Sequence, residues 1–239
     1  MAHDPQPIPV MAMLPTYNEA GNVRSLIEVL LNTVDGMQVV VVDDNSPDET
    51  WRIVAEMAER DPRVHLVHRT DARGRGSAGV AGLRYAVEAG AALIVEMDAD
   101  WSHHPRHIPA MIEAAKAADV VIGSRLVAGG GESGRSRPRR LVTRLANAYI
   151  RMILRLSIRD CTTGFRVFRR EALERIDLAA LRSNGPAIVQ EILLACQRAG
   201  CRFAEVPIRF EQRRAGKSSL TVRILATGLL SVLRFRFSK

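Results

Sequence analysis

Two carboxylates two residues apart, Asp98 and Asp100, end a mostly apolar run from Ala92 to Met97. A strand that leaves its sheet on such a pair puts two hard anionic oxygen donors where open α/β folds bind ligands. That donor set suits Mg²⁺ or Mn²⁺, which keeps several waters and is completed by substrate phosphates. The chemistry implied is a divalent ion clamped to a diphosphate. An isolated pair of this kind is more often a solvated turn that caps the next helix, so the weight falls on the rest of the chain. His103 and His104 are read as capping and orienting the helix that opens at Pro105 rather than as metal ligands.

The elements that must position this pair follow from periodicity. Strands are expected at Val10–Leu14, Gln38–Val42, Val64–His68, Ala92–Met97 and Asp119–Gly123, with helices over 20–33, Ser77–Ala89 and Pro105–Ala118. The four valines Val39–Val42 are the run expected of a strand covered on both faces. Ser46-Pro47-Asp48-Glu49 reads as a capping box with Pro at the first helical position. The alternation implies an α/β domain with a mostly parallel sheet flanked by helices. Its carboxyl-end loops carry Tyr17 and Glu19, Asp43 and Asp44, Arg73 and Arg75, and Asp98 and Asp100.

The chain has 239 residues, enough for one α/β domain, with 1–9 as a loose arm. Cys161, Cys196 and Cys201 lack ligand spacing and point to reduced thiols in a cytoplasmic protein. The net charge of +8 conceals a division: residues 1–120 carry 10 basic and 18 acidic side chains, and 121–239 carry 24 and 8. The basic half suggests a polyanionic partner: nucleic acid, anionic lipid headgroups or a phosphorylated substrate. No aromatic platform or base-reading motif supports nucleic acid, so none is expected.

In that half, Gly129–Gly134 and the basic run to Arg140 are read as a lid able to close over a bound ligand. Leu141–Ile158 reads as a helix with Arg144, Arg151, Arg155 and Arg159 on one stripe. It is either a core helix with a snorkelling edge or an interfacial helix on a membrane, and both stay open. Asp160–Arg166 leads into a strand, 187–199 is a helix with Gln190 and Glu191, and Arg202–Phe210 is a strand. The apolar middle of the tail is far shorter than the roughly 20 residues a spanning helix needs.

Six blocks in order carry a likeness: Pro15-Thr16-Tyr17-Asn18-Glu19, Asp43 to Asp48, Met97 to Pro105, Gly123-Ser124-Arg125, Asp160 to Arg166, and Arg213 to Leu220. Together they resemble the family 2 glycosyltransferases of the GT-A fold, and among these the dolichol-phosphate (polyprenol-monophosphate) mannose synthases. The resemblance implies a GT-A catalytic domain over 10–220, with a nucleotide-sugar half to about 124 and an acceptor and membrane-facing half from about 125. Interfacial amphipathic helices would lie in the second half, and 221–239 would be an amphipathic tail.

The implied reaction moves mannose from GDP-mannose to a polyprenyl phosphate with inversion. Asp98 and Asp100 would hold Mg²⁺ or Mn²⁺, with Ala99 giving backbone contact. Pro15, Tyr17, Glu19, Val42 and Asp44 would line the nucleotide site. Arg125, Arg213 and Lys217 would bind the diphosphate and the acceptor phosphate, with Arg137, Arg139 and Ser218 as further acceptor-phosphate residues. Asp100, Arg125 and Arg213 are the implied catalytic residues. The family's lysine position falls at Ser219, so Lys217 would replace it, and Ser102 stands where many relatives have Gln.

Relatives that use other donors, such as UDP-glucose, usually continue into a membrane domain. This chain stops short of one, so a catalytic subunit at the cytoplasmic face of an anionic membrane is implied. It would work alone or with a small membrane-anchoring subunit. A basic nucleic-acid-binding protein and a non-catalytic nucleotide-sugar binder are the rival readings.

Overall fold

Val39–Val42 are buried on both faces of their strand, which is why the sequence there shows no polar alternation. The structure, a computed structural model, describes residues 9–71, 73–212 and 222–237, with side chains of the last stretch from 227 onward. The strands β1 (Val10–Thr16), β2 (Gln38–Asp43), β3 (Val64–His68), β4 (Leu93–Glu96), β5 (Val120–Ser124), β7 (Arg166–Arg169) and β8 (Phe203–Pro207) form one sheet. Their order is β3-β2-β1-β4-β7-β5-β8, and β6 (Gly131–Glu132) pairs separately with β9 (Arg209–Phe210).

The expected mostly parallel sheet is present with one reversal: β7 runs antiparallel to both β4 and β5. Side chains alternate between two cores. Ala12, Leu14, Val39, Val41 and Val95 pack with α1 (Val23–Leu31), α2 (Thr50–Ala58) and α4 (Ile108–Ala114). Met11, Met13, Val40, Val42 and Ile94 pack with α3 (Arg75–Glu88), α5 (Arg137–Leu154), α6 (Arg170–Glu174) and α7 (Ile188–Arg198). Gly82 lets α3 press its backbone onto the sheet, since a Cβ there would sit 2.9 Å from Val42 Cγ2.

Strand order reverses at β1, with β2 on one side and β4 on the other, so the crevice at their carboxyl ends is the expected ligand position. Tyr17 lies in the loop that follows β1 and Asp98 in the loop that follows β4.

Three local expectations are corrected. Ser46 is not a helix cap: its hydroxyl donates to Asp43 and accepts from the Asn18 amide, tying the β1 and β2 loops together. Helix α2 begins only at Thr50, behind Glu49 in a left-handed conformation, with Asp48 accepting from the Thr50 amide and hydroxyl. Pro105–Ala118 divides into a 3-10 turn at Pro105–His107 followed by the short α4. The helix expected over Leu141–Ile158 starts earlier and ends at Leu154, where Arg155 turns left-handed, so Arg159 is not on it.

Helix α5 buries Asn147, Ile150 and Leu154 and leaves Leu141, Val142, Leu145 and Met152 exposed, so it meets the core along one edge and turns apolar surface outward. Helix α8 (Val222–Phe237) docks on it, with the Tyr149 hydroxyl donating to the Leu229 carbonyl (3.2 Å). Among the described residues, no helix is long and apolar enough to cross a membrane.

Candidate active site

Past Glu96 the chain leaves the sheet and turns sharply at Trp101, whose φ of 67° is a costly conformation for a bulky side chain, about 1–3 kcal/mol. The turn is held by the Ser102 amide, which donates to Asp100 Oδ1 (3.0 Å). Asp100 is buried, whereas the Asp98 side chain keeps 35% of its surface open to the crevice. Ala99 is buried between them. The Ser102 hydroxyl is buried without a hydrogen-bond partner among the described residues.

Asp98 is oriented from below. Arg75, in the first turn of α3, donates to Asp98 Oδ1 (2.7 Å) and stands 3.9 Å from Glu96 Oε1. Burial opposes the Arg75 charge, yet Asp98, Glu96 and Asp100 hold its pKa above the usual guanidinium value. Glu96 in turn pairs with the wholly buried Arg166, which also donates to the Val189 carbonyl (3.2 Å). A Cβ on Gly164 would press on the Arg75 guanidinium and displace it from its contact with Asp98.

His103 is buried, stacked on Phe165 at 5.1 Å and edge-on to Phe210, and its Nδ1 accepts from the Asp98 amide (3.3 Å). Burial pushes its pKa down against the pull of Asp98 and Asp100. His104 Nδ1 accepts from the Arg106 amide and caps the Pro105 turn, as expected for that residue. Among the described residues, no group of three or more His, Cys, Asp or Glu side chains is arranged to hold a metal. A cation here would rest on Asp98 and Asp100 and take its other ligands from water and phosphate, the usual arrangement for Mg²⁺.

The loops after β1 and β2 form the opposite wall. Asp43, fully buried, accepts from Thr16 Oγ1 (2.8 Å), Ser46 Oγ (2.7 Å) and the Ser46 amide (2.8 Å), and is a structural knot. Asp44 accepts from the Gly74 amide (2.7 Å) and lies 3.4 Å from Arg69 Nε. Tyr17 is 48% exposed, with the Arg73 guanidinium 5.7 Å from its ring centre. Glu19 accepts from Asn22 Nδ2 (2.7 Å), Pro15 is half-buried in β1, and the Val42 side chain is buried against α3.

Arg125 follows β5 and is buried. It donates to Asp160 through Nε (2.7 Å) and Nη2 (2.8 Å), to Thr162 Oγ1 (2.6 Å), and stands 3.4 Å from Glu132. Burial works against the charge on Asp160, yet the Arg125 fork holds its pKa below the usual carboxylate range. The guanidinium assigned to phosphate by sequence is therefore engaged by a carboxylate. Glu205 accepts from the Arg159 and Asp160 amides, and Asn147 Oδ1 from the Cys161 amide, so this loop is fastened to β8 and α5.

The glycine run is not a free lid. The Gly131 amide donates to the Ile208 carbonyl (3.0 Å) and Ser133 to Phe210 (2.8 Å), with the Glu132 side chain buried between Arg125 and Arg135. Arg137 and Arg139 lie exposed in the first turn of α5. Arg213, Lys217 and Ser218 lie outside the described residues. Sequence reasoning missed Arg69 and the Glu96–Arg166 pair. A charged residue inside an apolar strand was the available signal for the pair.

The family model for Glycosyl transferase family 2 matches residues 12–177. The chain is 38% identical over 226 residues to the undecaprenyl-phosphate mannosyltransferase of Micrococcus luteus, covering 95% of this chain and 93% of that one. It is 38% identical over 213 residues to the polyprenol monophosphomannose synthase of Mycolicibacterium smegmatis, covering 88% and 80%. Among solved structures, glucosyl-3-phosphoglycerate synthase from Mycobacterium tuberculosis in complex with Mn²⁺, UDP and glucosyl-3-phosphoglycerate shares the fold. Its TM-score is 0.67 at 19% identity, covering 96% of this chain and 78% of that one.

Proposed function

The chain belongs to glycosyl transferase family 2, and on that premise we propose that it moves mannose from GDP-mannose to a polyprenyl phosphate, with inversion, at a membrane surface. The observation that carries this reading is the Asp98–Asp100 pair at the sheet's switch point, with Arg75 and His103 orienting Asp98. A divalent ion on the two carboxylates would offset the charge of the departing diphosphate.

The remaining steps fall to the chain's own groups. Tyr17 offers a ring face for the nucleobase, beside Arg73 and near the Asp44 carboxylate. The acceptor is a phosphate monoester carrying between one and two negative charges near neutral pH, so its oxygen needs no catalytic base. Positioning and fixed charge supply the acceleration. Arg137 and Arg139 sit at the positive end of α5, whose first turn holds no acidic residue, and an anion there is favoured. Arg213, Lys217 and Ser218 are proposed to complete the phosphate contacts.

Exposed Leu141, Leu145 and Met152 on α5, with Leu230 and Phe237 on α8, support a peripheral membrane attachment, proposed for a cytoplasmic face. Turnover of GDP-mannose and of UDP-glucose with a short polyprenyl phosphate tests the reading. Mannosyl phosphate product from GDP-mannose is expected, and preference for UDP-glucose overturns the donor assignment.

A further inference from the structure

A cavity of about 340 Å³ opens between α5 and the segment that follows β5. Its walls include Arg125, Arg144, Asn147, Ala148, Arg151 and Arg159, and neither Asp98 nor Asp100 lines it. Positions 144, 147, 148 and 151 recur at helical spacing on one face of α5, and Arg159 reaches the same space from the loop beyond the helix.

The charges in this cavity are not matched. Arg125 is answered by Asp160 and Glu132, as Arg75 and Arg166 are by Asp98 and Glu96. No ion pair or hydrogen bond from the side chains of Arg144, Arg151 or Arg159 is formed with any described residue, and Arg151 Nε is shut off from solvent without an acceptor. Glu205 accepts the backbone amides of Arg159 and Asp160, and no ion pair joins it to the Arg159 guanidinium. Three guanidiniums turned on one space without a carboxylate form a receptor for an anion, and their planar forks suit phosphate oxygens.

The rim indicates the source of that phosphate. Exposed Leu141, Leu145 and Met152 run along α5 in a stripe that meets the basic face at Ala148. A head bearing phosphate in the cavity would leave its apolar chain along that stripe. We propose that this cavity is a phosphate-binding site, separate from the carboxylate pair, for the headgroup of an anionic membrane lipid. The site does not depend on which sugar the enzyme transfers.

The test is co-sedimentation of the full chain with vesicles of phosphatidylcholine alone or with 30 mol% phosphatidylglycerol, near physiological salt. Each basic side chain near an anionic surface contributes about fivefold in affinity. Wild type is expected to prefer the anionic vesicles, and Arg155→Gln, which removes an equal charge from the exposed end of α5 outside the cavity, to lose about that fivefold. Arg151→Gln, which also removes a guanidinium fork from the cavity, is expected to lose several times more. Equal losses would reduce the effect to diffuse surface charge and overturn the site.

Arg151→Lys, which keeps the charge without the fork, is expected to fall between wild type and Arg151→Gln, and an affinity equal to wild type would overturn the bidentate receptor. Inorganic phosphate at millimolar concentration is the soluble arm. An Arg151-dependent thermal shift with phosphate, together with no preference for anionic vesicles, would overturn the lipid assignment. Transfer to a short acceptor in detergent is expected to be unchanged in Arg151→Gln, so failure of this site and failure of the transfer reaction are distinguishable.

Discussion

Replacing Arg166 by Met, or Glu96 by Leu, tests the foundation on which Asp98 stands. Both side chains are almost wholly buried, and removing one partner of a buried pair costs about 3–5 kcal/mol because the other charge is left in the core. In Arg166→Met, Glu96 keeps Arg75 at 3.9 Å, so the cost is expected near about 3 kcal/mol. In Glu96→Leu, Arg166 keeps, among the described residues, the Val189 carbonyl and the Phe168 ring face, and the cost is expected nearer about 5 kcal/mol. The double variant removes both charges and is expected to recover most of the loss. For a chain of this size, each kcal/mol moves the thermal midpoint by about 2–4 °C, so the singles should fall well below the double. Urea unfolding followed by circular dichroism measures all four proteins. A coupling between the two sites below about 1 kcal/mol would refute the buried-pair reasoning.

Other expectations follow from the same geometry. Tyr17→Ala removes an exposed ring face and should raise KM for the sugar nucleotide several-fold with little change in kcat, as steady-state kinetics will show. Asp160 has a folded pKa held below its unfolded value of about 3.9, so its contribution is present above that pH and lost as pH falls through the folded value. Asp160→Asn should therefore lower the thermal midpoint at neutral pH and flatten its decline in acid; parallel curves for the two proteins would contradict the pairing with Arg125. Leu145→Ser with Met152→Ser should weaken sedimentation with liposomes, and unchanged sedimentation would remove α5 from the membrane contact.

Much of the architecture is legible because backbone periodicity writes it directly. The valine run of β2 and the Asp98–Asp100 step after β4 lie where pattern puts them, and α3 begins at Arg75, two residues before the expected start. What escaped is long-range. The reversal of β7 depends on which strands receive Arg166–Arg169, and nothing within four residues encodes that. Ser46 has the composition of a helix cap, but a buried aspartate three residues earlier competes for its hydroxyl. Arg125 is given to phosphate through the Gly123-Ser124-Arg125 block, and its fork onto Asp160, 35 residues away, is a contact that no local pattern encodes. The glycine run reads as mobile, yet β9 supplies a ladder that pins it.

The most direct test of the central claim compares wild type with Asp100→Asn in transfer from GDP-mannose to a short polyprenyl phosphate, in Mg²⁺ or Mn²⁺, at matched thermal midpoints. If Asp98 and Asp100 hold the cation that meets the diphosphate, several kcal/mol of transition-state stabilisation are lost, and turnover should fall by about 10³-fold. Turnover within tenfold of wild type, with the same dependence on metal, would contradict it.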